Sequence, residues 1–96
     1  MTERNTQRLC IAALRKAGWE VWVTSDKRRA VTPGIPDTYC VHRAKRERMW
    51  IEYKGPTGKP TEHQSAFIDA VRASGGRAEV VSSLDDLERI LEGKGL

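Results

Sequence analysis

Cysteine is scarce, aromatic residues are few, and no apolar run is long. The two cysteines, Cys10 and Cys40, fall inside an expected helix and an expected strand, and no Cys/His spacing suggests a zinc site. A single pair gives no reason to expect a disulfide, so both are read as small buried hydrophobes. No apolar stretch nears the roughly 20 residues needed to cross a bilayer as a helix. The opening Met1-Thr2-Glu3-Arg4 leads into an amphipathic segment without the apolar core of a signal peptide. Cytoplasmic residence, away from any membrane, is the expectation. Internal repeats and low-complexity segments are also lacking.

What is present describes a globular chain. With 96 residues, 39% hydrophobic and 31% charged, residues 1–96 are expected to form one domain with a modest core. The net charge is +4 and the pI about 9.4, which favours an anionic partner. Lys27, Arg28 and Arg29 precede Asp37, and Arg43, Lys45, Arg46 and Arg48 follow it. These cations are expected to form a basic rim around Asp37, as a phosphate-backbone substrate would require.

Periodicity supplies the elements. Residues 2–17 read as a helix, with Cys10, Ala13, Leu14 and Ala17 as one buried stripe that continues back through Gln7 and Glu3. Glu3 is either a first-turn acid complementing the helix dipole or a group that reaches a site beyond the core. Residues 19–24 alternate as a strand, with Trp19, Val21 and Val23 on one side and Glu20, Trp22 and Thr24 on the other. The turn Pro33-Gly34-Ile35-Pro36 is rigid and delivers Asp37 at a defined place. Strands are expected over 39–42 and 48–54, joined by a charged hairpin loop, with His42 at the surface. Thr61 opens a helix through a capping box with Gln64, and Gln64, Phe67, Ile68 and Val71 share one face. A strand over 77–82 and a helix from Ser83 complete an α/β sandwich with a mixed sheet.

The chemistry gathers on the strand Met49-Trp50-Ile51-Glu52-Tyr53-Lys54. Side chains alternate along a strand, so Glu52 and Lys54 point one way and Met49, Ile51 and Tyr53 the other. A hairpin with the preceding strand brings Asp37 back beside Glu52. Two carboxylates beside a lysine make a candidate site for a hard divalent cation, which takes oxygen ligands. The backbone carbonyl of Tyr53 is a natural further ligand. Lys54 could then orient an attacking water or stabilise developing negative charge during phosphodiester hydrolysis. The plain alternative is an exposed strand face with an ordinary ion pair. Gln64 has its own plain alternative in the capping box. An E-x-K triplet occurs often by chance, whereas a Gly-x-Pro-Asp turn fifteen residues before it makes coincidence much less common.

The segments Gly34-Ile35-Pro36-Asp37, Ile51-Glu52-Tyr53-Lys54 and Gly58-Lys59-Pro60-Thr61-Glu62-His63-Gln64 together resemble the VRR-NUC domain of the PD-(D/E)XK nuclease superfamily. The resemblance spans residues 3–90. It implies an αβββαβ core with a central mixed sheet flanked by helices, in agreement with the order read above. It implies Asp37 and Glu52 as metal ligands, Lys54 as the catalytic lysine, and Gln64 and Glu3 as active-site residues. Mg²⁺ or Mn²⁺ is the implied cofactor. The implied activity is a metal-dependent endodeoxyribonuclease acting on branched DNA such as four-way (Holliday) junctions or flaps. Stand-alone members resemble phage or bacterial proteins and tend to be homodimers, so a bacterial cell or phage-infected host is the implied setting. Lys27, Arg28, Arg29 and Lys59 are the expected DNA contacts, and Trp19 or Trp22, if exposed, could serve a dimer interface. Two rivals stand beside this reading: a non-cleaving nucleic-acid-binding module on the same fold, and a restriction-like nuclease.

Overall fold

A computed structural model describes residues 2–25 and 32–93. The elements run α1 (Glu3–Lys16), β1 (Glu20–Val23), β2 (Thr38–His42), β3 (Glu47–Tyr53), α2 (Glu62–Ala73), β4 (Ala78–Val81) and α3 (Leu84–Leu91). The expected order of elements and the mixed sheet are both observed. The four strands lie in the order β1-β2-β3-β4, antiparallel except for the parallel pair β3 and β4. A parallel pair needs a crossover, and α2 supplies it.

Alternation divides the sheet into two unlike faces. Val21, Cys40, Met49, Ile51, Tyr53 and Val81 project to one face and join Cys10 and Leu14 of α1 and Leu87 and Ile90 of α3 in the core. Both cysteines are buried and free, as expected. The opposite face carries Trp50 and Glu52, and α2 covers it only in part, with Phe67 edge-on to Trp50 at 5.1 Å between centroids. The chain thus forms helix–sheet–helix layers, one of them incomplete.

Local signals set the helix ends. Thr2 caps α1 by accepting from the Asn5 N–H. Gly18, at φ +95°, takes the left-handed turn that ends the helix and that a side chain would resist. The buried stripe of α1 is Thr6, Cys10 and Leu14, with Ala17 exposed. Ala13 of the expected stripe packs against this core, whereas Ala17 is already the C-cap and has left the core-facing spiral. His42, expected at the surface, is half-buried, its ring edge-on to Trp19 at 5.4 Å and its Nε2 at 3.2 Å from the Ala17 carbonyl. No helix among the described residues is long and apolar enough to cross a membrane.

Candidate active site

The turn before β2 is built to hold Asp37 in place. Gly34 sits at φ +99°, and a Cβ there would lie 2.7 Å from the His63 carbonyl carbon, so the turn packs directly on the first turn of α2. Pro36 is buried, and its carbonyl accepts from the Thr24 hydroxyl. The Thr24 N–H donates to the Asp37 carbonyl at 2.8 Å, which continues the β1–β2 ladder through Asp37. Gly34→Ala is expected to cost about 1–3 kcal/mol through strain at positive φ, lowering the melting temperature by roughly 4–20 °C. Thermal unfolding of the variant checks this, and an unchanged midpoint would mean the turn can move off α2 freely.

Since Thr38 pairs with Ile51, the next residue outward in each strand puts Asp37 beside Glu52. The two are tied reciprocally. The Asp37 N–H donates to Glu52 Oε1 at 3.2 Å, and Asp37 Oδ2 accepts from the Tyr53 N–H at 2.9 Å. A strand residue turns its N–H and C=O toward the same neighbour, so the Tyr53 carbonyl also faces the Asp37 side. The Tyr53 ring points into the core and bonds Thr38. Burial pushes its phenol well above its ordinary pKa, which leaves the ring a packing role.

Glu52 is 1% exposed, which is costly for a carboxylate and is offset by three groups on its two oxygens. Besides Asp37, Lys54 Nζ lies 3.1 Å and Gln64 Nε2 2.7 Å from Oε2. Burial, followed by the nearby Asp37 charge, raises the Glu52 carboxyl to about 7, against the pull of Lys54 and the Asp37 N–H in the other direction. Gln64 makes the expected capping box and also touches the acidic site. Its Oε1 accepts from the Thr61 N–H at 2.9 Å in a complete capping box, while its amide nitrogen donates to Glu52. The plain surface-pair reading of Glu52 and Lys54 fails on exposure, since the Lys54 side chain is only 12% exposed.

Glu3, in the first turn of α1, is exposed and yet brings a carboxylate oxygen within 4.8 Å of those of Asp37 and Glu52. One residue serves as first-turn acid and as third member of an acidic cluster. Oxygen donors alone, with no thiolate or imidazole among them, suit a hard divalent cation rather than zinc.

The described members of the expected basic rim lie away from Asp37. Arg43, Lys45 and Arg46 lie at the closed end of the β2–β3 hairpin, about 17 Å from Asp37 at 3.3 Å per strand residue, and Arg48 on β3 lies about 13 Å from Glu52, because both strands run away from the site before turning. Lys27, Arg28 and Arg29 lie outside the described residues. Lys59 is exposed in the loop from β3 to α2, whose two ends both meet the site. Two cations outside the expected set stand near the acids. Arg4 and Arg8 line an open cavity with Glu3, Gln7 and Asp37. Their i, i+4 spacing, in step with Glu3 and Gln7, was the available signal.

A mixed sheet that holds three acids and a lysine at one end is the frame of a nuclease-type domain. The chain belongs to the VRR-NUC domain family, whose family model matches residues 3–85. A solved structure described as a VRR-NUC domain shares the fold, with a TM-score of 0.78 and 22% identity over 96% of this chain and 97% of the other. No curated protein sequence matches the chain.

Proposed function

We propose that this chain is a divalent-cation-dependent endodeoxyribonuclease that hydrolyses phosphodiester bonds. The observation that carries the reading is the meeting of Glu3, Asp37 and Glu52 within 4.8 Å, with the Lys54 ammonium held on Glu52. Asp37, Glu52 and Glu3 would hold the cation, Mg²⁺ or Mn²⁺, with the Tyr53 carbonyl as a further oxygen. A bound cation there would neutralise charge developing on the phosphoryl oxygens and make water a better nucleophile.

The remaining work belongs to the side chains. Asp37 and Glu52 arrive already oriented by backbone N–H groups, so little reorganisation is needed when substrate binds. Lys54 presents its ammonium beside the carboxylates, where it can orient the attacking water and stabilise the charge that grows on phosphate. Gln64 fixes the Glu52 rotamer. Arg4, Arg8 and Lys59 offer cations to the DNA backbone on either side of the acids. Selectivity for branched DNA, action as a homodimer, residence in the cytoplasm and the folding of residues 1–96 as one domain complete the proposal.

The test is a labelled panel of linear duplex, single strand, flap, splayed arm and four-way junction, each with Mg²⁺, Mn²⁺ or EDTA, beside Asp37→Asn. Cutting that needs the cation and vanishes in Asp37→Asn supports the proposal, and a junction or flap preference supports the branched substrate. Tight binding with no cutting of any substrate would make the chain a binding module. Arg4→Ala with Arg8→Ala is expected to weaken binding evenly across sequences and to lower the salt slope by about 2. Titrations at several salt concentrations read this directly, and an unchanged slope would remove α1 from the DNA interface.

A further inference from the structure

The part of the sheet face that α2 leaves open carries a row of aromatic rings. Trp22 on β1 pairs with Tyr39 on β2, and Tyr39 pairs with Trp50 on β3. Residues paired across strands project to the same face. Tyr39 and Trp50 each lie two residues along the strand from Asp37 and Glu52, so the row shares their face. Exposure rises along it. Trp50 is half-buried beneath Phe67, Tyr39 is half-buried with its ring 4.7 Å from Trp50, and Trp22 is 52% exposed.

Core packing accounts for Trp50 but not for Trp22. A flat ring on an open face offers a stacking partner to another ring. The row starts about 6.6 Å from the carboxylates at 3.3 Å per strand residue, within the reach of one nucleotide from a phosphate held there. Two residues further along β3 on the same face stands Arg48, which is exposed. Acidic site, aromatic row and cation thus follow one another in the order phosphate, base, phosphate along a single strand of nucleic acid.

We propose that Trp22, backed by Tyr39, is a stacking platform for an unpaired base next to the scissile phosphate, so that the substrate is DNA with an unstacked nucleotide at the cleavage point. Bases inside a duplex hide their faces against their neighbours, and only an unpaired base can lie on a protein ring. The scissile phosphate in this inference rests on the nuclease reading above. The rival occupant is a second copy of this chain, since β1 is an edge strand and edges pair readily. Trp22 is assigned to the base because its pairing with Tyr39 places it on the sheet face that carries the carboxylates, whereas pairing along the edge would require only its backbone.

The experiment is a double cycle. Native protein, Trp22→Ala and Trp22→Phe are given a splayed-arm DNA with an unpaired thymine at the cut, the same DNA with that base removed, and a fully paired duplex. Loss of the base is expected to slow the native protein about 10- to 100-fold. Trp22→Ala should lose about as much on intact DNA and nothing further on the abasic DNA. Trp22→Phe should keep most of the preference, and cutting of paired duplex should barely change. In EDTA, oligothymidylate should quench the native tryptophan emission, and this quenching should disappear in Trp22→Ala. Equal losses on every substrate, with a dimer turning to monomer in light scattering, would assign Trp22 to an interface between copies and overturn the platform. Normal cutting without coupling between Trp22 and the base would overturn the platform alone. A native protein that neither cuts DNA nor binds single strands would overturn the nuclease reading with it.

Discussion

Lys54→Ala is expected to lower cleavage by about 100- to 1000-fold, the loss that follows when one preorganised charge facing a reacting phosphate is removed. The fold should persist, because Lys54 lies at the end of β3 and its removal opens no cavity in the core. A second effect separates this lysine from a mere surface cation. Lys54 opposes the upward push on the Glu52 carboxyl, so without it that carboxyl holds its proton to a still higher pH. The rising limb of the pH–rate profile should therefore move to the alkaline side in the variant. Single-turnover cleavage across pH, for native and variant, measures both effects. A native rate with an unmoved profile would take Lys54 out of the site.

The second large effect concerns the cation and pH together. The Glu52 carboxyl stands near 7 in the folded protein against an ordinary 4.5. A folded-state pKa above the unfolded one means that the folded state binds the proton more tightly. In cation-free protein this contribution to stability is therefore present below about 4.5 and is lost as pH rises through about 7. The cation needs the ionised form, so below pH 7 its apparent dissociation constant should rise about tenfold per pH unit. At a concentration about 100 times that constant it should add about 2.7 kcal/mol, or more than roughly 10 °C in a chain of this size. Melting in EDTA and in Mg²⁺ or Mn²⁺, at about pH 5 and about pH 8, should give a large gain only at the higher pH. An equal gain at both would mean that the ion binds away from Glu52.

Much of this site is legible from residue order, and the limits are physical. Alternation along β3 and the rigid Pro-Gly-Ile-Pro turn suffice to bring Asp37 beside Glu52, because a hairpin leaves few registers open. The capping pattern at Thr61 locates the start of α2, but its contact with Glu52 depends on how that helix lies across the sheet. The cations show the reverse case. Arg43 and Arg46 are near Asp37 in sequence and far from it in space, since a hairpin carries its loop away from its open end. Arg4 and Arg8 are distant in sequence and near in space, and a search of α1 for apolar stripes passes over them. Trp19 and Trp22 fall on opposite sides of one strand, and period alone cannot say which side is buried. The structure buries Trp19 to 3% exposure and leaves Trp22 at 52%.

The two bonds of the Gln64 side chain have a consequence for motion. One amide closes the first turn of α2 and holds the buried carboxylate of Glu52, so unravelling that turn also releases Glu52. Helix ends ordinarily fray at little cost in free energy, yet this end opens only together with the site. Anything that grips Glu52 thereby slows local opening at Thr61 and Gln64, and amide hydrogen exchange there becomes a reporter of what the acidic cluster holds.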